Sequence, residues 1–116
     1  VRDKELGKKW ERAAASFLRR HPFCAECQRR GRDVPAFVVD HIVPRGEGGE
    51  MWDRANWQPL CNPCHNGLKR DLERLAVQMG DVRLLINWMA KPQTRPGRWA
   101  FVAAAVECDD AEGRTS

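Results

Sequence analysis

Near the start of the chain the apolar positions recur with helical spacing. Trp10, Ala13, Ala14, Phe17 and Leu18 stand at i, i+3, i+4, i+7 and i+8, the stripe of an amphipathic helix over 8–20. Lys8, Lys9, Arg12, Arg19 and Arg20 lie mainly off that stripe. After a turn at Gly31 the period changes. Residues 36–43, Ala-Phe-Val-Val-Asp-His-Ile-Val, are rich in β-branched side chains and stop at Pro44, which predicts a short strand. Arg45-Gly-Glu-Gly-Gly49 reads as a flexible loop, and 53–60 leads back through Asn56. Pro63 suits the first turn of a helix, whose apolar face continues through Leu68, Leu72, Leu75, Ala76 and Met79 until Gly80. Asp81 is a candidate cap for a further helix to about Ala90, using Val82, Leu85, Ile86 and Met89. The segment 91–97, with two prolines and a glycine, breaks that helix. Residues 98–108 are apolar enough to dock as a last strand or helix, and the final eight residues are expected to fray. The pattern is that of an α+β protein.

With 116 residues one domain spanning 1–116 is expected. Apolar residues at 42% and charged residues at 31% fit a globular chain and exclude a fibrous or disordered one. No apolar run approaches the roughly 18 residues of a membrane span, and the start lacks the apolar stretch of a secretory signal. The expectation is a cytoplasmic domain without a membrane partner. The missing initiator Met leaves room for trimmed N-terminal sequence. A chain this short has a modest core and benefits from a staple.

Four of the five cysteines can supply that staple. Cys24-Ala-Glu-Cys27 and Cys61-Asn-Pro-Cys64 form two C-x2-C pairs with 33 residues between them, and Cys108 stands alone. An odd count without a signal segment disfavours structural disulfides. Four thiolates match a tetrahedral structural Zn²⁺ site, with redox dithiols as the alternative. Cys108 reads as a small apolar side chain.

Charge is unevenly distributed. Residues 1–33 carry a net +5, residues 34–66 −2, residues 67–99 +4 and residues 100–116 −3. Two basic segments flanking a weakly acidic middle suit a polyanionic partner, or simply a solvated basic surface.

Inside the loop that the cysteines close lie Asp40-His41 on the strand, Asn56 beyond the glycine-rich loop, and His65 directly after Cys64. Strand, loop and helix stapled at their bases would bring Asp40, His41 and His65 together. A carboxylate and one imidazole can hold a divalent cation while a second imidazole stays free as a base. Each residue alone has a plainer reading: a surface Asp-His pair, a turn Asn, a polar helix start. His21 has no partner in the pattern, and the five tryptophans read as core and rim packing.

The ordered set Cys-x2-Cys, Val39-Asp-His-Ile-Val-Pro44, Gly48-Gly49, Asn56-Trp-Gln-Pro-Leu-Cys61 and Cys64-His-Asn-x2-Lys69 resembles the HNH endonucleases, in particular the four-cysteine branch common in phage and prophage genomes. The resemblance covers about 22–70, with Trp57 where Leu is usual and Arg70 where Thr is frequent. It implies a ββα-metal core, here stapled by Zn(Cys)4 through Cys24, Cys27, Cys61 and Cys64. The helix over 8–20 and a C-terminal helical extension over about 81–108 flank it, as their own apolar patterns indicate. It also implies metal-dependent hydrolysis of DNA to 5′-phosphate and 3′-hydroxyl ends. His41 would be the general base, Asn56 a brace for its loop, and Asp40 and His65 the ligands of a catalytic Mg²⁺, Mn²⁺, Ni²⁺ or Zn²⁺. Lys69, Arg70, Arg12, Arg19 and Arg20, with Lys8 and Lys9, would contact phosphates. Association with phage packaging proteins is a habit of the family. The rival reading is a non-catalytic zinc module that binds nucleic acid.

Overall fold

The computed structural model describes residues 2–103. Helix α1 (Arg2–Arg20) starts earlier than the apolar stripe, because its first residues are polar and leave no periodic signal. A short helix, α2 (Ala25–Arg29), follows in the first cysteine knuckle. Strands β1 (Val38–His41) and β2 (Trp57–Leu60) then pair antiparallel, with Asp40 opposite Gln58 and His41 opposite Trp57. The predicted strand over 36–43 is shorter than expected because its partner is only four residues long. Its hydrogen bonds nevertheless reach one residue further each way, from Phe37 N to Leu60 O at 2.9 Å and from Ile42 N to Asn56 O at 2.7 Å.

The loop between the strands is folded rather than loose. It contains two 3₁₀ turns, Arg45–Glu47 and Arg54–Asn56. Gly49 is required there by packing: a Cβ would lie 1.7 Å from the Val43 carbonyl oxygen.

After Cys61 one continuous helix, α3 (62–78), begins with an α-helical turn at Asn62–Cys64 and widens to a π-helical segment at His65–Lys69. It ends α-helical at Arg70–Gln78. Gly80, with φ +74°, closes it, as Gly80 N bonds Val77 O and Asp81 N bonds Ala76 O, the paired reverse bonds of a Schellman motif. Helix α4 (Leu84–Ala90) is entered through a tighter turn in which Leu84 N bonds Asp81 O at 3.2 Å, and the Asp81 carboxylate caps that turn by accepting from Arg83 N at 3.2 Å. Beyond it come 3₁₀ turns at Pro92–Thr94 and Gly97–Trp99, then irregular chain to residue 103. The expected strand or helix over 98–108 is thus absent through 103. The rest of it, Cys108 and the fraying expected at the end all lie outside the described residues.

The core has two parts. Leu72, Ala76, Leu85, Trp88 and Met89 seal α3 against α4, with Leu68, Leu75 and Ile42 packed alongside. Met79 and Ile86, expected inside, are exposed; Trp88 and Met89 fill the face that Ile86 misses. Cys24, Cys27, Leu60 and Cys61 form the second cluster, backed by Val34 and Val38. Among the described residues no helix is long and apolar enough to cross a membrane.

Candidate active site

The four knuckle cysteines converge as the spacing predicts. Their sulfurs all lie within 4.8 Å of one another, with Cys27 Sγ 3.9 Å from Cys61 Sγ and 3.8 Å from Cys64 Sγ. A tetrahedral zinc with Zn–S bonds of about 2.3 Å separates its sulfurs by about 3.8 Å, whereas a disulfide needs about 2.05 Å. The donor set and the spacing therefore fit zinc. The hydrogen bond from Cys64 pulls the Cys24 thiol down to about 4. That bond to Cys24 pushes Cys64 up, and burial pushes Cys27 up. Cys24 thus sheds its proton readily, while Cys27 and Cys64 resist losing theirs until a cation offsets the charge.

Next to this cluster, Asp40, His41 and His65 line one cleft of about 190 Å³ together with Val39, Pro44, Arg45 and Glu73. Asp40 is 3% exposed, and its two oxygens have different duties. Oδ2 accepts from Gln58 Nε2 at 2.9 Å and lies 3.0 Å from Lys69 Nζ. Oδ1 is left facing His65 Nε2 at 3.6 Å. On the other edge of the His65 ring, Nδ1 lies 3.3 Å from Asn66 Oδ1. With the proton on Nδ1, where the Asn66 oxygen can accept it, Nε2 is free to present a lone pair beside Asp40 Oδ1. Two ligands on one cation at about 2.1 Å sit about 3.0–3.4 Å apart. Asp40 Oδ1 and His65 Nε2 fit that requirement with a few tenths of an ångström to close.

His41 is set by different partners. Its Nε2 lies 3.1 Å from the Met51 carbonyl oxygen, which can only accept, so Nε2 is protonated and Nδ1 keeps a lone pair. Trp57, opposite His41 in the sheet, donates Nε1–H to the same carbonyl at 2.7 Å. Trp10 of α1 stacks on the imidazole with ring centroids 4.9 Å apart, and meets Trp57 and Trp52 edge-on. Asn56 holds the loop beneath. Its Oδ1 accepts from Val43 N at 2.8 Å, while Nδ2 donates to Val43 O and Glu50 O, each at 3.0 Å. Its amide is thereby used up on backbone, outside the facing pair of Asp40 and His65.

Lys69 departs from the sequence expectation. It is 1% exposed, and its three N–H groups go to His41 O at 2.9 Å, Asp40 Oδ2 at 3.0 Å and Glu73 Oε2 at 2.6 Å. It cannot also hold a phosphate. Its role is internal: it neutralises a buried carboxylate and ties α3 to β1. Arg12, Arg19, Arg20 and Arg70 are exposed, as are Lys8 and Lys9. His21 lies against Phe17 at 4.4 Å, away from the cleft.

A hydrogen-bonded chain runs from the far end of the molecule to this cleft. Arg95, 3% exposed, clamps Glu26 with two bonds of 2.7 Å and donates Nε–H to Trp88 O. Arg29 joins Glu26 at 2.8 Å to Gln58 Oε1 at 3.2 Å, and Gln58 reaches Asp40. Burial pushes the Glu26 carboxyl up, but its bonds and attraction to Arg95, with Arg29 and Arg30 beside it, outweigh that and hold it below the ordinary range.

Gln58, Trp10, Trp57 and Lys69 were not read from sequence as parts of the site's support. Lys69 carried one signal, its i,i+4 spacing to both His65 and Glu73. Gln58 follows once the strands are paired about Asn56. Trp10 gives no local signal at all.

No curated protein and no solved structure matches the chain. Residues 24–71 match the family model described as HNH endonuclease, the stretch that holds both cysteine pairs, Asp40, His41, Asn56 and His65. That matched stretch lies between the N-terminal helix α1 and the C-terminal helical segment that holds α4.

Proposed function

We propose that the protein is a divalent-cation-dependent DNA endonuclease that hydrolyses phosphodiester bonds with His41 as general base. The observation that carries this reading is the facing pair Asp40 Oδ1 and His65 Nε2, 3.6 Å apart, in the same cleft as an imidazole fixed by the Met51 carbonyl. A module that only binds nucleic acid needs the cysteine cluster but not a second, open ligand pair.

His41 Nδ1 takes a proton from water as the water oxygen bonds to phosphorus. The bond from phosphorus to the 3′ oxygen breaks, and that oxygen gains a proton from solvent, leaving 5′-phosphate and 3′-hydroxyl ends. A cation held by Asp40 and His65 would supply Lewis-acid neutralisation of the scissile phosphate and the departing oxygen. Gln58 and Lys69 hold Asp40 so that only Oδ1 faces the cleft, and Asn56 and Trp10 hold His41. The exposed Lys8, Lys9, Arg12, Arg19, Arg20 and Arg70 supply charge that positions the duplex without reading its sequence.

Plasmid relaxation, measured with EDTA and then with Mg²⁺, Mn²⁺, Ni²⁺ or Zn²⁺ restored, tests this directly. Cleavage should vanish with chelation and return with at least one cation, and His41→Ala should reduce it by about 10²–10⁴-fold. Binding of DNA with no cleavage under any cation would favour the non-catalytic zinc module.

A further inference from the structure

Two side-chain cations line the active cleft or support it, and only one has donors to spare. Lys69 has given all three N–H groups to His41 O, Asp40 and Glu73. Arg45 lines the cleft beside Asp40, His41 and His65, is exposed, and makes no ion pair or side-chain hydrogen bond among the described residues. Both carboxylates of the cleft are already engaged by Lys69, so neither draws the guanidinium away.

The backbone that presents Arg45 is firmly held. Arg45 opens the 3₁₀ turn Arg45–Glu47 directly after Pro44. Glu47 N and Gly49 N both bond Pro44 O at 2.9 Å, and Gly48 N bonds Arg45 O at 3.2 Å. Asn56 fixes Val43 just upstream on both sides of its peptide group. The Cα is thus anchored four residues from His41 while the five guanidinium N–H groups stay free. A guanidinium matches two phosphate oxygens at once, and it keeps its charge at any working pH.

We propose that Arg45 is a further catalytic residue, which grips the non-bridging oxygens of the scissile phosphate and stabilises the charge that gathers there as the bond to phosphorus forms. The assignment rests on the proposed hydrolysis. It gives the cleft the phosphate-binding cation that the buried Lys69 cannot supply.

The test compares wild type, Arg45→Ala and Arg45→Lys by single-turnover cleavage of one duplex at saturating metal. DNA affinity is measured against salt in a His41→Ala background. Arg45→Ala should lose about 10²–10³-fold in rate, as expected for removal of a donor to a developing anion. Arg45→Lys should recover part of that, keeping the charge without the fork. The slope of log affinity against log salt should fall by about 1 for the alanine variant. A wild-type rate for Arg45→Ala would overturn the assignment. A lowered slope with unchanged rate would overturn it as well, by placing Arg45 on a phosphate other than the scissile one. If the wild-type chain does not cleave at all, the proposed hydrolysis fails, and an unchanged slope would separately remove Arg45 from the phosphate.

Discussion

Gln58 donates its amide N–H to Asp40 Oδ2 at 2.9 Å, straight across the two-stranded sheet. Its oxygen is occupied by Arg29 of the first cysteine knuckle at 3.2 Å, so the amide can point only one way. The knuckle and the cleft are therefore joined through a single side chain.

Removing that bond should loosen the activating cation. Gln58→Leu leaves Asp40 Oδ2 with Lys69 alone and frees the carboxylate to rotate. Supporting groups of this kind are worth about 10–100-fold in metal affinity. A metal titration of cleavage should shift upward by that factor, with the rate at saturation much less affected. An unshifted titration would mean that Lys69 fixes Asp40 without help.

Base and ligand roles should separate. His41→Ala should remove cleavage while metal and DNA binding persist, because it deletes the proton acceptor and neither of the facing ligands. Asp40→Ala and His65→Ala should instead raise the metal concentration needed for activity, as read by direct metal binding to each variant. For His65→Ala, Asn66 or water can fill part of the gap, so its shift should be the smaller.

The stack of Trp10 on His41 makes α1 part of the geometry that the proposed base depends on. Trp10→Ala should lower kcat, by up to about 10²-fold for a misplacement of about 1 Å, with the metal dependence unchanged. Trp10→Phe should recover part of the rate. Loss of metal affinity in Trp10→Ala would show that α1 acts on the ligands rather than on the base.

Zinc and the catalytic cation should prove separable. Thiolates favour Zn²⁺, whereas an open Asp/His pair accepts harder cations. Mild chelation should abolish cleavage while circular dichroism and about one zinc per chain persist. Cys24→Ser or Cys61→Ser should instead unfold the ββα region. Fold and activity lost at one chelator concentration would argue for a single metal site.

The Glu26–Arg95 clamp predicts acid sensitivity. The folded Glu26 carboxyl lies below its ordinary value of 4.5. Its stabilising contribution is complete above that value and is lost as pH falls through the lower folded one. Arg95→Met strands Glu26 with Arg29 and Arg30 and should cost about 3–5 kcal/mol. Urea unfolding at neutral pH measures that cost. Between pH 5 and pH 3 the variant's stability should also fall less steeply than the wild type's.

Much of the chemistry was legible without coordinates. The two C-x2-C pairs, the Asp-His dipeptide before Pro44, Asn56 and His65 are held in order by short spacings, and local geometry leaves them few other ways to meet. The helices over 8–20 and after Pro63 were legible for the same reason, since an apolar stripe records which face is buried. What sequence could not decide was partnership across distance. Lys69 reads as a surface cation in a basic stretch, yet α3 turns it under the sheet, where Asp40 and Glu73 consume it. Met79 and Ile86 carry the right period but end outside, because Gly80 and Asp81 shift where one helix stops and the next begins. Trp10 lies outside the matched segment and meets His41 only when α1 docks on β1. Composition and spacing determined which groups this protein has for chemistry. The tertiary structure decided which remain free to act, because burial forces each charged or polar group to spend its bonds on whichever neighbour the fold provides.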